Sequence, residues 1–411
     1  MKHWISKINI SMRSINNLEV TYLQRKGFSS WMAYLSCSFG SVIEGFPDGS
    51  AHFLEHRLFD FNGIDGTELF SQLGADVNAF TARRIIGFYF STMKNHLKSI
   101  QLLTDLVLQK RYFDEKAIEN EKKIIESEIM MVEDDPFAKG YQLLLEQLFW
   151  VHPVRLKIAG TKESISSINK NMLSKIHKKY FTPQSCKLII CGTEKPQKFL
   201  DKLSDNLDAT NWNPSQLVKN PYYRKEPLEV KTREYDFKMP ISKDLFFIGF
   251  KTKKKKLTLL DSLIGEFISH VIFGSISSFT DHLYSKCLID DSFYFSYDWD
   301  VDYGYLLVAG FSSFSSNLRV QIEKEIKNRI DKGISKNEFD IIQHYFLGST
   351  YIMIDKPGEL MMHLTNLAWT QNKKWEDYLD SIQTLNFTLI NKELKNFIDL
   401  NYSAVTLIRP L

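Results

Sequence analysis

His52-Phe53-Leu54-Glu55-His56 puts two imidazoles and a carboxylate on a single helical turn. Residues four apart on a helix lie above one another, so His52 and His56 can each turn a ring nitrogen toward one ion. Glu55, one position before the second histidine, then flanks the open side of that ion, where a general base is needed. A catalytic zinc takes three protein ligands and keeps a fourth position open. The pattern therefore predicts one further Glu, Asp, His or Cys on another element.

The stretch Phe113 to Glu133 supplies it. Ile118, Ile124, Ile125, Met131 and Val132 recur at helical spacing and define one face. Glu121 and Glu128 fall inside that stripe and, being seven apart, lie about 20° from each other around the axis. Glu115, Glu119, Glu126 and Glu133 project the other way and read as a solvated face. A carboxylate in an apolar stripe is costly unless it is paired or bound to a metal. Glu128 is thus the candidate third ligand and Glu121 a companion that orients a ligand. The structural alternative for Glu121 is a buried carboxylate that pairs helices.

These residues resemble the HxxEH metallopeptidases of the pitrilysin/insulinase family, in particular the half-size branch that includes the processing peptidases. There the third ligand is a Glu about 70 to 80 residues downstream of the second histidine, with another Glu seven residues before it, as Glu128 and Glu121 stand here. Further matches are Phe39-Gly40-Ser41, Pro47-Asp48-Gly49, Gly74-Ala75-Asp76-Val77-Asn78-Ala79-Phe80-Thr81, Asp134-Asp135-Pro136, His152-Pro153 and Ile158-Ala159-Gly160-Thr161. Arg57 after the second histidine is most similar to the Gram-positive members. The resemblance implies Zn2+ held by His52, His56 and Glu128, Glu55 as general base, and Glu121 as a supporting catalytic residue. It also implies that a peptide substrate adds as a strand beside Val77 to Phe80, making Asn78, Ala79 and Phe80 substrate-binding candidates. Read alone, that stretch is an ordinary turn into a strand.

The fold implied is α+β, with two similar domains, each an antiparallel sheet covered by helices, together forming half of a clamshell chamber. A chain of 411 residues with 44% apolar content is long enough for two cores of about 200 residues each. Trp212-Asn213-Pro214-Ser215 and Asn220-Pro221 interrupt the periodicity, which divides the chain into a zinc-binding domain over 1–215 and a related domain over 225–411. A net charge of +3 argues against a nucleic-acid partner, and Lys251 with Lys253 to Lys256 reads as a solvated loop. No run reaches the roughly 18 apolar residues of a membrane helix, and no secretory signal opens the chain, so a cytoplasmic location is expected. Cys37, Cys186, Cys191 and Cys287 show no metal-ligand spacing and read as reduced core residues.

The second half departs from the family pattern. Active members carry an Arg and a Tyr there that contact substrate and stabilise the oxyanion. In this chain Tyr284 stands at the Arg position and Asp291 near the Tyr position; Tyr294 and Tyr297 are the nearby substitutes, although aromatic residues in an alternating run are ordinary packing residues. The resemblance therefore implies a zinc metalloendopeptidase subunit acting on short unfolded peptides, within a family that includes leader-peptide and peptide natural-product processing. A related subunit would supply the Arg/Tyr pair in a heterodimer, with a homodimer as the alternative. A non-catalytic scaffold subunit is the reading from another class.

Overall fold

The computed structural model describes residues 9–61, 63–214, 218, 226–370 and 372–411. Apolar alternation in the first half resolves into six strands, β1 (Asn9–Ile15), β2 (Leu18–Gln24), β3 (Trp31–Cys37), β4 (Ala75–Thr81), β5 (Ile86–Thr92) and β6 (Cys186–Gly192). Their order in the sheet is β1-β2-β6-β3-β5-β4. Every neighbouring pair is antiparallel except β2 with β6, which is parallel. The expected antiparallel sheet is thus mixed by one pair, because β6 returns only after a run of helices, the long crossover that a parallel neighbour requires.

One face of this sheet carries Ala33, Leu35, Phe88, Phe90, Leu188 and Ile190, all fully buried. They share a core with Phe53, Leu54 and Leu58 of α1 (Ser50–Phe59) and with Ile100, Leu103 and Val107 of α2 (His96–Leu108). Removing such side chains from water stabilises the unit by about 1.5–3 kcal/mol each, which fixes the helix carrying the histidines against the sheet. The start of α1 explains two of the sequence motifs. Gly49 takes a φ of 85°, and a Cβ there would lie 2.5 Å from the Ala159 carbonyl oxygen; Gly160, at φ 81°, would meet the Asp48 oxygen at the same distance. Pro47-Asp48-Gly49 and Ala159-Gly160-Thr161 are two sides of one backbone contact that only glycine permits.

Helix α3 (Glu115–Asp134) covers the predicted stretch, but its buried stripe is Ile118, Glu121, Ile125 and Ile129. Ile124, Met131 and Val132 are more than half exposed. The apolar face is therefore narrower than expected, and Glu128 stands at its border rather than within it. The opposite face of the sheet is covered from much later in the chain. Trp369 Nε1 donates to Ser36 Oγ at 2.7 Å, and the Lys187 ammonium lies 5.4 Å from the Trp369 ring centre.

The chain divides into two compact units, one drawn from Met1–Met130, Leu156–Pro221 and Tyr351–Trp369, the other from Met131–Arg155, Tyr222–Thr350 and Thr370–Leu411. Two segments thus belong with the unit on the far side of the anticipated break, much of which (residues 215–217 and 219–225) lies outside the described residues. The second unit has five strands, β7 (Glu234–Met239), β8 (Asp244–Thr252), β9 (Tyr294–Asp300), β10 (Tyr303–Ser312) and β11 (Ile398–Pro410), in the order β9-β10-β8-β11-β7. Here too a single pair, β11 with β7, is parallel. Read from the β4 and β9 edges, the two sheets have the same order and the same parallel pair, so the internal repeat that is too faint in sequence is plain in topology. Helix α4 (Pro136–Leu148) packs on β8, with Gly140 under the Phe247 ring and Leu144 and Leu148 against Gly249. Helix α5 (Leu259–Phe273) follows β8 as α1 follows β3.

Two expectations need correction. Lys251 is not in a solvated loop; it lies buried on β8, its ammonium bonded to Glu226 at 3.0 Å and to the Pro227 carbonyl at 2.7 Å. Lys253 pairs with Asp399, and Lys254 with Asp261 and Glu393. Nor are all four cysteines reduced core residues: Cys37 and Cys186 face each other across the β3–β6 ladder and form a disulfide, while Cys287 is exposed. A bridge of this kind persists in oxidising surroundings and is uncommon in cytosolic proteins. Among the described residues no single helix is long and apolar enough to cross a membrane.

Candidate metal centre

The predicted ligands converge. His52 and His56, four apart on α1, present Nε2 atoms 3.8 and 3.6 Å from Glu128 Oε2 on α3. One donor atom from each of the three lies within 4.8 Å of the others. Bonds of 2.0–2.2 Å in a tetrahedral zinc site would hold ligand atoms about 3.3–3.6 Å apart, so small side-chain adjustments close the site. The protonation state of His52 favours metal as well. Burial, with the neighbouring His56, pulls His52 down to about 4, so it stands neutral with a lone pair to donate.

His56 is oriented from behind, where its Nδ1 lies 3.0 Å from Glu121 Oε1. A carboxylate on Nδ1 fixes the proton there and leaves the Nε2 lone pair facing Glu128. Burial opposes a charge on His56, but the Glu121 bond and the nearby Glu128 and Glu55 outweigh it and raise its pKa in the metal-free protein. Glu121 itself is lowered: burial works against the carboxylate, and the bonds from His56 and Arg57 prevail. Two neutral imidazoles and a carboxylate are the donor set of several catalytic zinc sites, and the residues fit that ion.

Glu55 sits on the same helix turn. Its carboxyl is raised by burial and the nearby Glu128, with the Thr81 hydroxyl bond and His56 pulling the other way. That hydroxyl, on β4, donates to Glu55 Oε2, tying the candidate base to the strand proposed for substrate. Among the described residues β4 is a sheet edge, paired only with β5. Asn78 is exposed there, and its Oδ1 accepts from the Ala79 backbone N–H at 2.8 Å. By strand alternation Asn78 and Phe80 share one face and Ala79 the other; the Phe80 ring lies across Gly87, where a Cβ would come within 2.4 Å of it.

Sequence reasoning gave Thr81 and Arg57 no role. Thr81 closes the motif Gly74 to Thr81, but its reach to Glu55 depends on how the sheet meets α1. Arg57 is buried directly after the second histidine, with Nη1 2.9 Å from Glu121 Oε2 and Nη2 on Asp60 Oδ2. A charged residue following the ligand pair was the only available signal.

Residues 30–162 match "Insulinase (Peptidase family M16)", and residues 167–346 match "Peptidase M16 inactive domain". The chain belongs to the M16 peptidase family. Among M16 relatives, the zinc protease YmfH of Bacillus subtilis, itself called uncharacterized, is 29% identical over 369 residues, 86% of each chain. An M16-like peptidase from Alicyclobacillus acidocaldarius shares the fold with a TM-score of 0.93 at 24% identity, covering 98% of this chain and 99% of its own. Pitrilysin aligns with a TM-score of 0.74 at 18% identity, covering 98% of this chain but 45% of its own length, so the chain spans about half of pitrilysin.

In the M16 second half the candidate tyrosines separate. Tyr284 and Tyr294 are 41% and 54% exposed. The Tyr297 ring packs against Gly265 and Phe397, and its hydroxyl lies over Gly304.

Proposed function

We propose that this M16 chain is the catalytic subunit of a zinc-dependent endopeptidase that cleaves short unfolded peptides. One observation carries the reading: the His52, His56 and Glu128 donor atoms converge beside Glu55, and Glu55 is bonded through Thr81 to an open sheet edge. Zinc held by His52, His56 and Glu128 would lower the pKa of a bound water and polarise the scissile carbonyl. Glu55, raised by burial and anchored by the Thr81 hydroxyl, takes the proton of the attacking water and returns it to the leaving amine nitrogen. The edge of β4 receives the peptide main chain, with Asn78, Ala79 and Phe80 lining it. Glu121 keeps His56 in its ligating tautomer.

Tyr284 and Asp291 stand where the family carries Arg and Tyr, so a related partner subunit supplies that pair in this proposal. Leader-peptide or peptide natural-product processing suits an enzyme that reads main chain more than side chains. A non-catalytic scaffold is the second reading, favoured by the second-half match to a domain named inactive. Elemental mass spectrometry of the purified chain, beside a Glu128→Gln variant and a fluorogenic peptide assay, separates the two. About one zinc per chain, lost in the variant and accompanied by cleavage once the partner is added, supports the peptidase; a chain that takes up no zinc leaves the scaffold.

A further inference from the structure

Arg57 does more than follow the ligand pair. It stands in the last turn of α1, where a cation is favoured by the helix dipole, and its side chain is only 9% exposed. Its two terminal nitrogens diverge, Nη1 to Glu121 on α3 and Nη2 to Asp60 just past α1. Asp60 is held in turn, its Oδ1 accepting from the Gly63 backbone N–H at 2.9 Å. Arg57 Nε is buried without a hydrogen-bond partner, so the terminal fork carries the whole polar interaction.

Glu121 divides its two oxygens between Arg57 and His56. The chain Asp60, Arg57, Glu121, His56 therefore runs without a break from the loop after α1 to a metal-ligating ring. It also links α1, which bears both histidines, to α3, which bears Glu128. We propose that Arg57 is a positioning residue that assembles the metal site before metal arrives, by clamping Glu121 against His56 and α3 against α1. The inference rests on the metal-centre reading above and assigns Arg57 no contact with substrate.

A planar guanidinium reaches two carboxylates in separate directions, which a lysine ammonium on a single stem does not reproduce. Without Arg57, Glu121 would be a buried carboxylate with one partner fewer, free to turn from His56. Loss of a group that orients a ligand typically costs 10- to 100-fold in metal affinity.

The test uses the full-length chain, wild type beside Arg57→Met and Arg57→Lys. Zinc affinity is measured by competition with a chromophoric chelator, the cobalt-substituted visible spectrum reports ligand geometry, and the metal-free melting temperature reports fold. Arg57→Met is expected to weaken zinc about 10- to 100-fold and to shift the cobalt bands, with Arg57→Lys between it and wild type. Zinc affinity within twofold of wild type and an unchanged cobalt spectrum, even alongside a lower melting temperature, would make Arg57 a structural ion pair and overturn the proposal. Where Arg57→Met does not fold, Arg57→Lys and Asp60→Asn decide by the same readouts: weaker zinc with shifted bands supports the clamp, and wild-type values overturn it. Failure of the wild-type chain to bind zinc would instead overturn the metal-centre reading itself.

Discussion

Breaking the Cys37–Cys186 bridge should destabilise the first unit strongly. The two cysteines are 149 residues apart, and both are at most 1% exposed. In the chain-entropy account, closing a loop of that length removes about 17 cal/mol/K from the unfolded state, or about 5 kcal/mol at 25 °C, which is the upper end of what disulfides deliver. For a unit of about 200 residues, each kcal/mol moves Tm by roughly 2–4 °C, so the reduced protein should melt about 10–20 °C lower. The sulfurs are enclosed, so reduction should be slow in the folded chain and fast once it opens. Calorimetry of oxidised and of reduced, alkylated protein measures the difference, and a Cys37→Ala/Cys186→Ala chain controls for the modification. A shift under about 3 °C would show that the β3–β6 ladder and its core hold these strands without the bond, and the entropic argument would fail.

Replacing Glu55 with Gln should leave zinc content unchanged and reduce peptide cleavage by about a hundredfold or more; turnover near wild type, measured with a fluorogenic peptide, would remove Glu55 from the role of base. Thr81→Val should lift the Glu55 pKa further by removing the one hydroxyl bond that lowers it, so the acid limb of the activity profile should move to higher pH, and an unmoved limb would count against the tie between base and edge strand. The metal-free chain should have its own pH signature. His56 is raised above 6.5, so its contribution to stability is full below 6.5 and is lost as pH rises through the raised value. Zinc must displace that proton, so zinc affinity should climb over the same window, followed by chelator competition from about pH 6 to 8; affinity that is flat with pH would contradict it.

Much of the centre was legible because its information is local. The spacing of His52, Glu55 and His56 fixes their side on any helix, and the seven-residue step from Glu121 to Glu128 fixes theirs. What the spacing did not give was the solvent side of α3. Ile124, Met131 and Val132 fit a helical period as well as Ile125 and Ile129 do, and only the packed neighbours distinguish a buried isoleucine from one more than half exposed. Arg57 and Asp60 were unreadable for a related reason: a buried ion pair looks like two surface charges until its partner, here Glu121 from a distant helix, is placed.

The sequence by itself determined the placement of His52, Glu55 and His56 on one turn and the shared side of Glu121 and Glu128, because each of these patterns is written within a turn or two of one helix. Tertiary structure decided the rest. The Cys37–Cys186 pairing, the burial of Lys251 on β8, the parallel neighbours β2 and β6, and the grouping of Tyr351–Trp369 with the first unit all join residues far apart in the chain. Such contacts depend on which strand lies beside which, and strand order is set by the burial of whole faces rather than by any local pattern.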